Sequence, residues 1–219
     1  MMRRRAAHLT LAIAEHFRDL GAKVLCLFDS VSRYAAALRQ IHLTAGEVPA
    51  TRGYPPSVFA ELPRLLERAG PGAGSGSITA LFTVLVEGDD HNEPVADTVR
   101  GILDGHVVLE RRIAQRGRFP AVDVLRSVSR TVPGCYTPAE WDLVREARRL
   151  LAIWEDMADL IRAGIYRPGG DPEVDRAIAL APRLEELLAQ APDEASGPEP
   201  FARLEAILAE NKTIEKGSR

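Results

Sequence analysis

Lysine is nearly absent: the 219 residues hold 25 Arg but only three Lys, and two of these, Lys212 and Lys216, fall in the last eight positions. The tail 211–219 therefore reads as foreign in character to the rest of the chain. Cysteine is equally scarce. Cys26 sits in an apolar run and Cys135 in a turn-like segment, too few for a disulfide framework or a zinc site. No uninterrupted apolar run approaches the roughly 20 residues that cross a bilayer. The hydrophobic part of Met2 to Ile13 is too short for a signal peptide, so a cytoplasmic location is expected. Neither sign of charge dominates. A net charge of −3 and a pI near 6.0 remove the electrostatic reason to expect nucleic acid or an acidic membrane as partner. The five histidines, His8, His16, His42, His91 and His106, lack metal-ligand spacing, and no Ser/His/Asp order is convincing.

A hydrophobic content of 46% is enough for one full core and a smaller appendage. Ala6, Leu9, Ile13, Phe17 and Leu20 recur at helical steps before Gly21, which predicts an amphipathic helix covering a sheet. Val24 to Phe28 is continuously apolar, as in a strand buried on both faces of a parallel sheet, and Asp29 ends it. Helical spacing resumes at Tyr34, Leu38 and Ile41, gives way to a Gly/Pro loop over 46–56, and returns from Ser57 to Ala69. Gly70 to Gly76 is glycine-rich but lacks lysine and leads into a strand, 77–86, so it is read as a flexible linker. A phosphate loop must open a helix. After the acidic turn Glu87 to Asp90 come a helix from Pro94 and a strand, 106–109, and this alternation predicts a parallel α/β layer. From Thr137 the pattern is helical only. Thr137, Pro138 and Glu140 make a capping box, followed by the stripe Val144, Ala147, Leu151, Trp154, Ala158 and Ile161. The next helix starts at Asp171-Pro172 and is expected to break at Pro182. The expected domains are 1–135 (α/β core), 136–190 (helical), a linker at 191–200, and a short helix with the tail at 201–219.

A buried strand ending in Asp29, with Ser30 after it, is how a nucleotide hydrolase holds magnesium through water beside phosphates. Taken with KVLCLFDSVSR (23–33), GEVPATRGYPPSVF (46–59), GSITALFTVLVEGDD (76–90), residues 102–109 and FPAVDVLRSVSR (119–130), the chain resembles the flagellar and type III export ATPases. The resemblance extends to about Leu188, and the same family resembles the catalytic and non-catalytic subunits of rotary ATP synthases and, more distantly, the Rho terminator helicase. It implies a partial RecA-like nucleotide hydrolase core of α/β class, with a parallel sheet flanked by helices and an all-helical carboxyl-terminal domain. It implies ATP and Mg2+ as cofactors, Asp29 as the magnesium-assisting carboxylate, and Arg130 as an arginine finger reaching a neighbour's γ-phosphate. Phe119 and Pro120 match a pair lining the adenine pocket. Glu87, Asp89 and Asp90 fall where the state of the γ-phosphate is sensed, and 46–56 falls at the central hole of the ring.

No G-x-x-x-x-G-K-[ST] occurs in the chain. In the family this loop and the amino-terminal barrel lie upstream of the matching region, so the chain is expected to be a fragment that hydrolyses ATP hardly at all by itself. The implied partners are the other subunits of a homo-hexamer, a central stalk protein, a stator-like regulator, the export gate and chaperone–substrate complexes, with no nucleic acid and only peripheral association with the inner membrane. The glycine in Glu87-Gly-Asp-Asp90 favours the flagellar branch over the virulence injectisome. The Gly-Tyr-Pro-Pro56 loop disfavours a rotary ATP synthase subunit. From a different class, a non-catalytic module docking chaperone and substrate complexes also fits the helical stripe.

Overall fold

The computed structural model describes residues 1–86, 88, 90, 93–194 and 199–210, and the chain divides into two compact units, Met1–Asp104 and Gly105–Arg219. In the first unit, helix α1 (Met2–Asp19) precedes strand β1 (Lys23–Phe28), and helices α2 (Val31–Thr44) and α3 (Pro56–Leu66) follow. Strand β2 (Gly70–Pro71), strand β3 (Ser77–Phe82) and helix α4 (Pro94–Ile102) complete it. The sheet order is β1-β3-β2, with β1 parallel to β3 in the register Lys23↔Ser77 to Phe28↔Phe82, and β2 antiparallel to β3.

The core of this unit collects Leu11 from α1, Val31, Tyr34 and Leu38 from α2, and Val58, Leu62, Leu65 and Leu66 from α3. The spacing of these residues is helical, and each is essentially shielded from water. Ser30 starts α2 by accepting the Arg33 amide with its hydroxyl. Three sequence expectations are corrected here. The stripe Leu9, Ile13, Phe17 and Leu20 lies outward at 50–71% exposure, and α1 instead buries Ala7, Leu11 and Ala14. Helix α1 carries two apolar stripes, and among the described residues the bulkier one has no sheet beneath it. Strand β1 is buried on one face only: Cys26 and Phe28 point inward while Leu25 and Leu27 are 63% and 67% exposed, so the continuous apolar run does not mark burial on both faces. Finally, Gly70–Gly76 is not a linker. Its first two residues pair with β3, and Gly72 donates to the Gly76 carbonyl to close a tight turn.

In the second unit, strands β4 (Gly105–Leu109) and β5 (Val122–Ser129) form an antiparallel pair joined through the short helix α5 (Arg111–Gln115). Helices α6 (Val132–Cys135), α7 (Pro138–Arg162), α8 (Pro172–Leu187) and α9 (Pro200–Ala209) follow. The strand at 106–109 therefore pairs outside any parallel layer. Contacts divide the chain after Asp104, upstream of the boundary expected at 135, because the β4–β5 pair packs on helices. Val124 and Leu125 join the core of Leu150, Leu151, Leu180, Leu184 and Ile207. Arg148 grips both strand residues, donating to the carbonyls of Val124 and, at 3.0 Å, of Leu125. The capping box of α7 is formed as the sequence suggests, with Thr137 and Glu140 exchanging bonds. Pro182 does not break α8. A proline removes one helical bond, and the buried Leu180, Ala181 and Leu184 on either side hold the helix in place. Of the expected linker, 195–198 lie outside the described residues, as does the tail 211–219.

Candidate functional site

Parallel pairing brings the carboxyl ends of β1 and β3 side by side, and in open α/β sheets ligands gather at those ends. Asp29 is the first residue beyond β1 and is exposed there, while the adjoining Ser30 is buried at the start of α2. The Asp29 carboxylate accepts the Thr83 hydroxyl at 2.8 Å. A cavity of about 320 Å³ opens beside it, lined among others by Arg3, Thr10, Asp29, Ser30, Arg33 and Tyr34. Two guanidinium groups and one carboxylate at its wall suit an anion that brings its own cation. The Tyr34 hydroxyl is pushed up to about 12, mainly by burial and then by the charge of Glu61, so it stays a neutral donor.

A polar chain runs from this region to the 46–56 loop. His8 and Glu61 both meet the Tyr34 hydroxyl, Arg4 pairs with Glu61 at 3.1 Å, and His42 lies 3.1 Å from both Glu61 and Glu47. Burial first, then the charges of Arg4 and Arg68, lower the pKa of His8. Glu47 accepts the Ser57 amide, which holds its carboxyl below the usual range. At the far end of the loop the Arg39 guanidinium covers the Tyr54 ring, and Arg52, with φ of 48°, pairs with Asp90 at 2.6 Å. Asp90 is thus tied to the loop at 46–56. Glu87 and Asp89, the other acids expected to sense phosphate, lie outside the described residues.

The remaining expected residues fall in the second unit. Arg130 immediately follows β5 and is exposed. Phe119, joined to Pro120 by a cis peptide bond, is 56% exposed, and its carbonyl accepts the Gln190 amide at 2.8 Å. Sequence reasoning singled out neither Arg3, Arg33 nor Thr83. Arg33 was within reach, because it shares the 23–33 segment with Asp29.

Residues 1–129 match the model for the ATP synthase alpha/beta family, nucleotide-binding domain. The chain belongs to this family. Residues 136–205 match the T3SS EscN ATPase C-terminal domain. The Caulobacter vibrioides flagellum-specific ATP synthase is 57% identical over 95% of the chain and 48% of its own length. The assembled ATPase EscN of the enteropathogenic E. coli type III secretion system superposes with a TM-score of 0.88 at 43% identity, covering 93% of the chain and 49% of EscN. EscN solved in complex with its central stalk EscO gives 0.83 at 41% identity, over 94% and 49%. The chain thus spans about half the length of the curated relatives it matches. The expected fold class, an α/β nucleotide-hydrolase core with a helical C-terminal domain, is that of these relatives. Among the described residues no helix is long and apolar enough to cross a membrane.

Proposed function

We propose that this chain is the carboxyl-terminal half of a ring-forming ATPase subunit that couples ATP hydrolysis to flagellar, type III protein export. The observation that carries the reading is Asp29, standing at the open end of β1 beside a cavity, within the segment matched to a nucleotide-binding domain. In this reading Asp29 serves the subunit's own nucleotide and Arg130 the nucleotide of the adjoining subunit. Among the described residues no group of three or more His, Cys, Asp or Glu could cage a metal. A single carboxylate with phosphates and water completing the shell is the donor set magnesium accepts, so Asp29 fits that role. When bound, magnesium neutralises phosphate charge; the finger adds its guanidinium where charge grows in the transition state, typically worth roughly 10³–10⁵ in turnover.

Phe119 and Pro120 then offer a ring face to adenine, and Asp90, with Glu87 and Asp89, responds to the γ-phosphate. The loop at 46–56 lines the central hole and meets a stalk protein, a reading supported by EscN solved with its central stalk EscO. The same proposal gives the ring a stator-like regulator, the export gate and chaperone–substrate complexes as partners, at the cytoplasmic face of the inner membrane. Gly88 in the acidic turn favours the flagellar branch. The chain alone, without a G-x-x-x-x-G-K-[ST] loop, binds ATP weakly.

The test is to mix the chain with full-length subunits of the Caulobacter relative and follow ATP turnover. Stimulation is expected, and Arg130→Ala should abolish it. Stimulation untouched by Arg130→Ala would leave only a docking module and sink the finger assignment.

A further inference from the structure

The β1–β3 ladder ends at Phe28↔Phe82, so the next residues, Asp29 and Thr83, face each other beyond the last strand pair. Here the backbone continues to pair: Thr83 donates its amide to the Phe28 carbonyl at 3.0 Å, and Val31 donates to the Thr83 carbonyl at 2.9 Å. Thr83 is held on both sides of its side chain by these bonds. Its hydroxyl lies 2.8 Å from Asp29 Oδ1 and 3.4 Å from the Phe28 carbonyl, and with one proton to give, the shorter contact is the bond made. Two residues on, the Ser32 hydroxyl donates to the Leu85 carbonyl at 3.1 Å and accepts the Leu85 amide at 2.8 Å. The two segments leaving the sheet are therefore stitched together.

We propose that Thr83 is a positioning residue for the Asp29 carboxylate, pinning Oδ1 and leaving Oδ2 for a metal-bound water. The proposal rests on the reading of Asp29 as the magnesium-assisting acid. The terminal torsion of an aspartate is broad and roughly two-fold, so a free carboxylate samples many planes. Among the described residues Thr83 is its one hydrogen-bond partner. A fixed donor on one oxygen removes that freedom before the metal arrives, and partners of metal-binding carboxylates typically contribute about 10–100-fold in affinity or activity. The hydroxyl has little else to do. Thr83 is exposed, and valine, of the same shape and equally at home in extended backbone, would replace its contacts.

The experiment uses the full-length ATPase whose second half is this chain, titrating magnesium at saturating ATP. Thr83→Val is expected to raise the magnesium concentration at half-maximal turnover by about tenfold or more. Its melting temperature should stay at the parent's value, and Thr83→Ser, which keeps the hydroxyl, should restore the parent's magnesium midpoint. Asp29→Asn is the reference variant. A magnesium midpoint unchanged in Thr83→Val but shifted in Asp29→Asn overturns the positioning role and leaves the Asp29 reading intact. Lowered stability with an unchanged midpoint overturns it too, by making Thr83 merely structural. If Asp29→Asn itself leaves the magnesium response alone, the reading of Asp29 fails, and this proposal with it.

Discussion

Gly76 has no room for a methyl group: a Cβ there would stand 2.0 Å from the carbonyl oxygen of Arg18 at the end of α1. The backbone on both sides is held by hydrogen bonds, Gly72 donating to the Gly76 carbonyl, Gly21 to the Arg18 carbonyl and Ser77 to that of Ala22 beside them, so neither side can step aside cheaply. Gly76→Ala should destabilise the first unit by ~2–3 kcal/mol, measured by chemical unfolding, whereas Gly74→Ala, with open space around it, should cost far less. Nothing in the local sequence distinguishes these two glycines. The requirement at Gly76 comes from α1, more than fifty positions earlier, and the same distance hid Thr83, whose partner lies 54 residues away. Asp29 was readable because its signal is local: an apolar strand, then an acid, then a serine that starts a helix. A hydroxyl at the end of β3 carries no such signal until the register of β1 and β3 sets it against Asp29.

The ends of helices were readable for a related reason, since capping is settled within four residues. Thr137 and Glu140 close their box on α7 as the spacing suggests, and Thr137→Ala should cost about 1 kcal/mol, visible as faster hydrogen exchange in the first turn of that helix. Helix interiors were less legible. Pro182 reads as a break, yet α8 runs through it because its buried face is long enough to tolerate one missing bond. The apolar spacing of α1 offered two stripes, and only packing could decide between them. Helix α1 is also tied to the segment after α3 by a two-pronged bond from Arg68 to Glu15. That bond, more than the opposing burial, holds the Glu15 carboxyl below its usual range. A carboxyl lowered in the folded state stabilises above its unfolded pKa, and the effect fades as pH drops through the folded value. Glu15→Gln should therefore lower the melting temperature at pH 7, and the difference from the parent should shrink as pH falls through the lowered value of the folded Glu15 carboxyl.

For the whole molecule, the division after Asp104 and the family boundary near 129–136 answer different questions, one about contacts within this chain and one about shared ancestry of segments. The first unit exposes Leu25, Leu27 and Leu81 on one sheet face and Leu9, Ile13 and Phe17 on α1, more apolar surface than a solitary domain usually shows. Among the described residues β1 is an edge strand, so unpaired backbone adds to this surface. The chain by itself should bind a hydrophobic dye and self-associate on sizing. Leu25→Ser with Leu27→Ser should reduce both while leaving the melting temperature nearly unchanged, because those side chains lie outside the core; a large fall in melting temperature would show them covered. Arginine forks clamp the fold at several places, with Arg148 on β5 carbonyls, Arg118 on the carbonyls of Pro120 and Val122, and Arg176 on Glu146 and the Leu208 carbonyl. Lysine could not copy these two-pronged grips. Amine-directed cross-linkers and labels will consequently find Lys23 and no other lysine among the described residues, so mass-spectrometric mapping of this chain's neighbours must go through carboxylates instead.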